Sequence, residues 1–200
     1  MSADNNEGFY SFRGDANALG GFIAEPVRRE IQTLVPVSLP AVGGLTTARA
    51  ESFSLDNLVR CRSAHTLVSG RVESDRISVL ATSVVEGLNI IDAIEAERVV
   101  ARLSIEIPRK KGSKLKVSTV GSYFQGLRLG GKLRDDLDNC IEGKASKGCE
   151  VTIEGVGRVI LGALYVTDSF AQLVSIRAEL GCPVKGKITV NCTGGGGVHD

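Results

Sequence analysis

The sequence has no tryptophan, two histidines and few aromatic residues of any kind, 4% of 200 residues. Its core must therefore be built mainly from Val, Ile, Leu and Ala. Such side chains suit a pleated sheet, because β-branched residues pack well on it. A surplus of charge is missing too: 24 basic residues stand against 23 acidic ones, net +1. That balance supplies no general attraction to nucleic acid or to an anionic membrane, and neither is expected as a partner. No apolar run approaches the roughly 20 residues a spanning helix needs, so no membrane span is expected. The opening MSADNNEGFYSFRGD has no basic flank followed by an apolar stretch, so it does not read as a signal peptide.

What is abundant is glycine, 24 residues, well above a usual share of about 7%. Residues 1–20 are polar and read as a flexible arm. Residues 21–192 read as a single β-rich domain, and 193–200 as a Gly-rich mobile tail. Val99, Ala101, Leu103, Ile105 and Ile107 share one parity, and Arg98, Arg102, Ser104 and Glu106 the other, with Val100 the exception. That is a strand with one face on a core and one on water. Residues 67–73 repeat the pattern more weakly, and 151–166, 171–180 and 187–190 read as further strands. Two helical signals interrupt them. Pro26 precedes Val27, Ile31 and Leu34 at helical spacing. Leu133, Leu137 and Ile141 recur every four residues, with Gly143 as C-cap. The expected fold is all-β, an antiparallel β-sandwich-like domain with one or two short helices, with a β-helix-like stack as the alternative.

Five cysteines stand at 61, 140, 149, 182 and 192. Cys140 with Cys149 and Cys182 with Cys192 form two local pairs, each able to close a short loop in an oxidised protein. Five reduced thiols are the competing reading. Cys61 and His65 suggest a nucleophile pair or two metal ligands. Residues four apart on a strand lie about 13 Å apart, too far to hydrogen-bond, and zinc needs more ligands than two. Arg13-Gly14-Asp15 is a short adhesion-like tripeptide that arises readily by chance. Asn191-Cys192-Thr193 is a glycosylation acceptor pattern. Asp135, Asp136 and Asp138 lack the glycine alternation of a calcium loop. The paired glycines at 20–21, 43–44 and 130–131 lack phosphate-cradle spacing and read as turns. No catalytic residue, cofactor or metal site is expected.

An internal repeat is visible. SVVEGLNII at 83–91 aligns with SYFQGLRLG at 122–130, and IEGVGRVIL at 153–161 is a weaker third copy. Gly87 and Gly126 are expected at bulges or close approaches, and Leu88 and Leu127 in the core at matching places. Around this repeat, ATSVVEGLNIIDAIEAERVVA and STVGSYFQGLRLGG resemble blocks of bacterial secreted proteins of the choice-of-anchor P type, over about residues 66–180. The resemblance implies a β-rich exported or surface module and transfers no catalytic residue. A second, looser similarity is to β-helical polymer-forming proteins of the bactofilin kind. The expected function is a non-enzymatic structural or interaction protein, self-assembling or surface-associated. The alternative is a small-molecule or glycan-binding β module, for which Tyr10, Tyr123 and Tyr165 are the available tyrosines.

Overall fold

The computed structural model describes residues 11–23, 29–110, 112–141, 147–182 and 186–199, of which 23, 29, 138–139, 182 and 186–199 by backbone alone. The chain opens with β1 (Ser11–Ala16), β2 (Leu19–Ile23), β3 (Arg29–Leu34) and β4 (Val37–Ser38). Four long strands follow: β5 (Gly44–Leu55), β6 (Val59–Val72), β7 (Arg76–Ile90) and β8 (Ile94–Pro108). Short strands β9 (Lys116–Ser118), β10 (Tyr123–Gln125), β11 (Arg128–Leu129) and β12 (Lys132–Leu133) lead to a 3-10 helix, Asp135–Cys140. The chain closes with β13 (Cys149–Ile153), β14 (Gly157–Val166), β15 (Phe170–Cys182) and β16 (Gly186–His199). The described pairings are all antiparallel.

Two sheets result. One has the order β13-β14-β15-β16-β1-β4, with β2 on β16 and β3 on β2; the other runs β12-β11-β8-β7-β6-β5, with β9 and β10 also on β8. Their inner faces meet in two apolar clusters. One holds Leu88, Ile90, Ile94 and Leu127 against Leu161, Ile176 and Leu180. The other holds Val68, Val79, Leu103 and Ile105 against Phe12, Leu164 and Leu173. The fold is thus an all-β antiparallel sandwich, as the alternating strands implied.

The two clusters are separated by a bend in the β5–β12 sheet. In β6 the inward residues are Val59 and Cys61, then Ala64, Thr66 and Val68. In β7 the inward set is Val79, Ala81, Ser83 and Val85, then Leu88 and Ile90. In β8 it is Ile94 and Ala96, then Val99, Ala101 and Leu103. Each strand turns two successive residues outward at the same level: Arg62–Ser63, Glu86–Gly87 and Glu97–Arg98. Such a slip inverts which parity faces the core. The opposite sheet has irregularities of its own. There β15 shifts register between Val174 and Ile176, and β2 shifts against β3 between Leu19 and Gly21. A buried polar bridge crosses the seam: the fully buried Thr66 donates its hydroxyl to the Val35 carbonyl at 2.5 Å.

Several sequence expectations give way here. The helix expected from Pro26 is not seen: 24–28 lie outside the described residues, and Arg29–Leu34 is β3, paired with β2. Ile31 is buried while Gln32 and Thr33 face out, so pairing overrode a weak helical spacing. The arm expected at 1–20 is strand from Ser11, while residues 1–10 lie outside the described ones. The expected mobile tail is also strand: Gly194–His199 pair with β1 on one side, and Gly194–Gly197 with β15 on the other. Ladder hydrogen bonds on both flanks offset the entropy that makes a free glycine run mobile. The expected helix near 133–141 is a 3-10 helix, and its cap at Gly143 lies outside the described residues.

Candidate functional site

The bend makes the most distinctive surface of the β5–β12 sheet. Gly87 and Gly126 have φ of 60° and 61°, a left-handed region that glycine enters without penalty. A Cβ at Gly87 would meet the Arg62 Cβ at 3.0 Å, and one at Gly126 the Glu97 Cγ at 2.8 Å. Glu86 pairs with Arg98 and Leu88 with Ala96, which sets Gly87 beside Glu97. Gln125 also pairs with Arg98 and Arg128 with Glu95, which sets Gly126 on the other flank of Glu97. The two glycines are therefore equivalent positions either side of β8. Leu88 and Leu127, 2% and 1% exposed, lie beneath on either side of Ala96. The third segment, 153–161, is different: Ile153 pairs with Gly157, so it forms the β13–β14 hairpin and not another bend.

On the outer face this geometry opens a hollow of about 600 Å³. One wall is the cross-strand row Arg60, Asn89, Glu95, Arg128; the other is Glu86, Arg98, Gln125. Between them the bare glycines alternate with Arg62 and Glu97. The carboxylates are engaged. Glu86 accepts from Ser63 Oγ at 2.9 Å, Glu95 from Asn89 Nδ2 at 3.2 Å, and Glu97 from Gln125 Nε2 at 3.3 Å. Arg60 is held by Asp92 at 3.2 Å, and Asn89, itself buried, ties Asp92 into the β7–β8 turn. The other guanidiniums are held less closely. Arg62 stands 3.7 Å from Glu86, and Arg98 Nε stands 3.9 Å from it. Arg98 Nε is buried without a hydrogen-bond acceptor among the described residues.

The structure separates other sequence candidates. The phase slip puts Cys61 on the inner face, 5% exposed, and His65 on the outer face, lining a shallow depression. They cannot act as a nucleophile and base. Burial raises the Cys61 thiol above its ordinary value, with a smaller opposing effect from a backbone hydrogen bond at Phe53. Cys140 and Cys149 are bonded, Cα–Cα 5.7 Å, joining the 3-10 helix to β13. Cys182 and Cys192 are not neighbours. By backbone register Cys182 faces Gly186 and Cys192 faces Ile176. The six-residue offset is about 20 Å at the rise of a strand, against the roughly 7 Å Cα limit for a disulfide. The short spacing suggests a loop, but the two cysteines lie at different levels of one hairpin. Their side chains lie outside the described residues.

Arg13 and Asp15 are exposed in mid-strand, and Gly14 between them is buried against Val68 and Val79. The tripeptide is therefore part of a ladder, not a loop. Asn191 pairs with both Arg177 and Gly20. Asp136 is bound by Arg134 at 2.8 Å, and this hydrogen bond chiefly lowers its carboxyl below the usual range. The polar hollow is not legible in the sequence because its residues come from five strands; the visible signal was the repeated Gly-Leu alone. No curated protein and no solved structure matches the chain. A family model matches residues 9–139, spanning β1 through most of the 3-10 helix. By that match the chain belongs to the family described as Domain of unknown function (DUF8256).

Proposed function

We propose that this chain is a non-enzymatic structural or interaction protein that associates with a second copy of itself through the β5 edge. The observation that carries this reading is the place of β5. It is a 12-residue strand at the end of its sheet's order, paired to β6 from Gly44 to Leu55. An exposed edge is a template for antiparallel strand addition. Its charges are self-complementary: Arg49 and Glu51, exposed on one face either side of Ala50 and 3.4 Å apart within the chain, can exchange partners between two copies. A two-fold axis at Ala50 sets Arg49 of each copy against Glu51 of the other. Such an isologous contact closes on itself, so its product is a dimer and not a fibre. Ser52, at φ 54°, limits how far the regular ladder extends. A secreted or surface setting is part of the proposal, supported by the Cys140–Cys149 disulfide, since such bonds persist in oxidising compartments.

Sedimentation equilibrium of the oxidised protein across a concentration series tests it. Mass should rise to twice that of one chain. Arg49→Glu should weaken association roughly tenfold, because like charges then oppose each other twice. The swap Arg49→Glu with Glu51→Arg should restore it. A chain that stays monomeric throughout, or an Arg49→Glu variant that associates unchanged, overturns the reading. The hollow favours a second reading, a small-molecule-binding module.

A further inference from the structure

We infer that the hollow over Gly87 and Gly126 is a binding site for a small polar molecule carrying an oxyanion, a carboxylate or a phosphate. The inference is independent of β5 association, since the hollow lies at the bend and the charged pair of β5 is not part of it.

Three observations converge. The first is a set of loosely held guanidiniums. Glu86, Glu95 and Glu97 each accept from a neutral side chain, Ser63, Asn89 and Gln125 in turn. The guanidiniums of Arg62 and Arg98 are left with ion pairs of 3.7 and 3.9 Å, longer than a charge-assisted hydrogen bond. Among the described residues Arg128 reaches the Gly131 carbonyl, at 3.5 Å. The second is Arg98, whose buried Nε has no hydrogen-bond acceptor among the described residues. The Arg98 side chain is otherwise 44% exposed, so the rest of its guanidinium is open to an incoming oxygen. The third is shape. The bend carries a hollow of about 600 Å³, within the size range of small-ligand sites.

An arginine fork recognises the paired oxygens of a carboxylate or phosphate, which defines the ligand chemistry. The three carboxylates of the lining disfavour any negative charge beyond the one group that the arginines contact. The occupant should therefore carry one oxyanion on a neutral hydroxylated body. Uronic acids and sugar phosphates share that chemistry.

The test titrates the oxidised full chain with glucuronate, glucose 6-phosphate and glucose in low-salt buffer. Two-dimensional amide NMR reads the shifts. Saturable shifts at Gly87, Gly126 and Arg98 with one or both anions, and none with glucose, are expected; which anion binds more tightly distinguishes carboxylate from phosphate. Arg98→Gln should weaken binding at least tenfold. Arg62→Gln, at a more exposed site, should weaken it severalfold and keeps the test open if Arg98→Gln does not fold. Arg71→Gln, at the far end of the sheet, should bind normally. Absence of saturable shifts with both anions overturns the inference. So do shifts reproduced by sodium chloride at equal ionic strength, or full binding by the Arg62 and Arg98 variants.

Discussion

Leu127→Ala tests the bend at its centre. Leu127 is 1% exposed and packs in the same apolar cluster as Leu88, Ile153 and Leu161. Removing a fully buried leucine forfeits its transfer free energy and leaves a cavity that its neighbours fill incompletely. Strands on either side of Ala96 restrict collapse, because the ladder fixes their spacing. The loss should fall at about 3 kcal/mol, within the 2–5 range for buried leucines. With a urea slope of about 2 kcal/mol/M, the unfolding midpoint falls by roughly 1.5 M at unchanged slope. Leu88→Ala should behave alike, since it occupies the equivalent position across β8. The double variant should depart from additivity by about 0.5 kcal/mol or more, because the two cavities adjoin the same alanine. The assay is urea unfolding followed by far-ultraviolet circular dichroism and by Cys61 labelling. A loss below about 0.5 kcal/mol at either leucine would refute the equivalence of the two repeats.

Gly87→Val and Gly126→Val should each destabilise by about 1–3 kcal/mol in the same melts, since valine pays both the left-handed backbone and a close contact. Asn at these sites should cost less, because it tolerates that backbone, and an equal loss for both substitutions would argue against the backbone explanation. Reducing the Cys140–Cys149 bond should lower the unfolding free energy by about 2–3 kcal/mol, as expected for closing a loop with a sequence separation of 9; calorimetry with and without reductant measures it, and unchanged melting would contradict it. Cys61 should alkylate far more slowly in the native protein at pH 8 than after unfolding, because burial raises its thiol pKa and screens it. Mass spectrometry of a timed iodoacetamide quench decides this, and equal rates in both states would place Cys61 at the surface.

The strand alternation at 98–107 and the scarcity of aromatics determined an all-β sandwich from the sequence alone, because side-chain parity is local and period two is legible along one strand. The Gly-Leu repeat was legible for the same reason: two segments had met the same local demand, a left-handed glycine followed by a buried leucine. Tertiary pairing decided the rest. Gly194–Gly197 read as a tail because a glycine run pays high chain entropy, and only β1 and β15 on its flanks make it a strand. Cys182 and Cys192 looked like partners because spacing is visible and register is not. The hollow itself exists only across strands. Arg62, Glu86, Arg98 and Gln125 are scattered over 64 positions of the chain, and the synchronised bend of four neighbouring strands is what gathers their charges around two bare glycines.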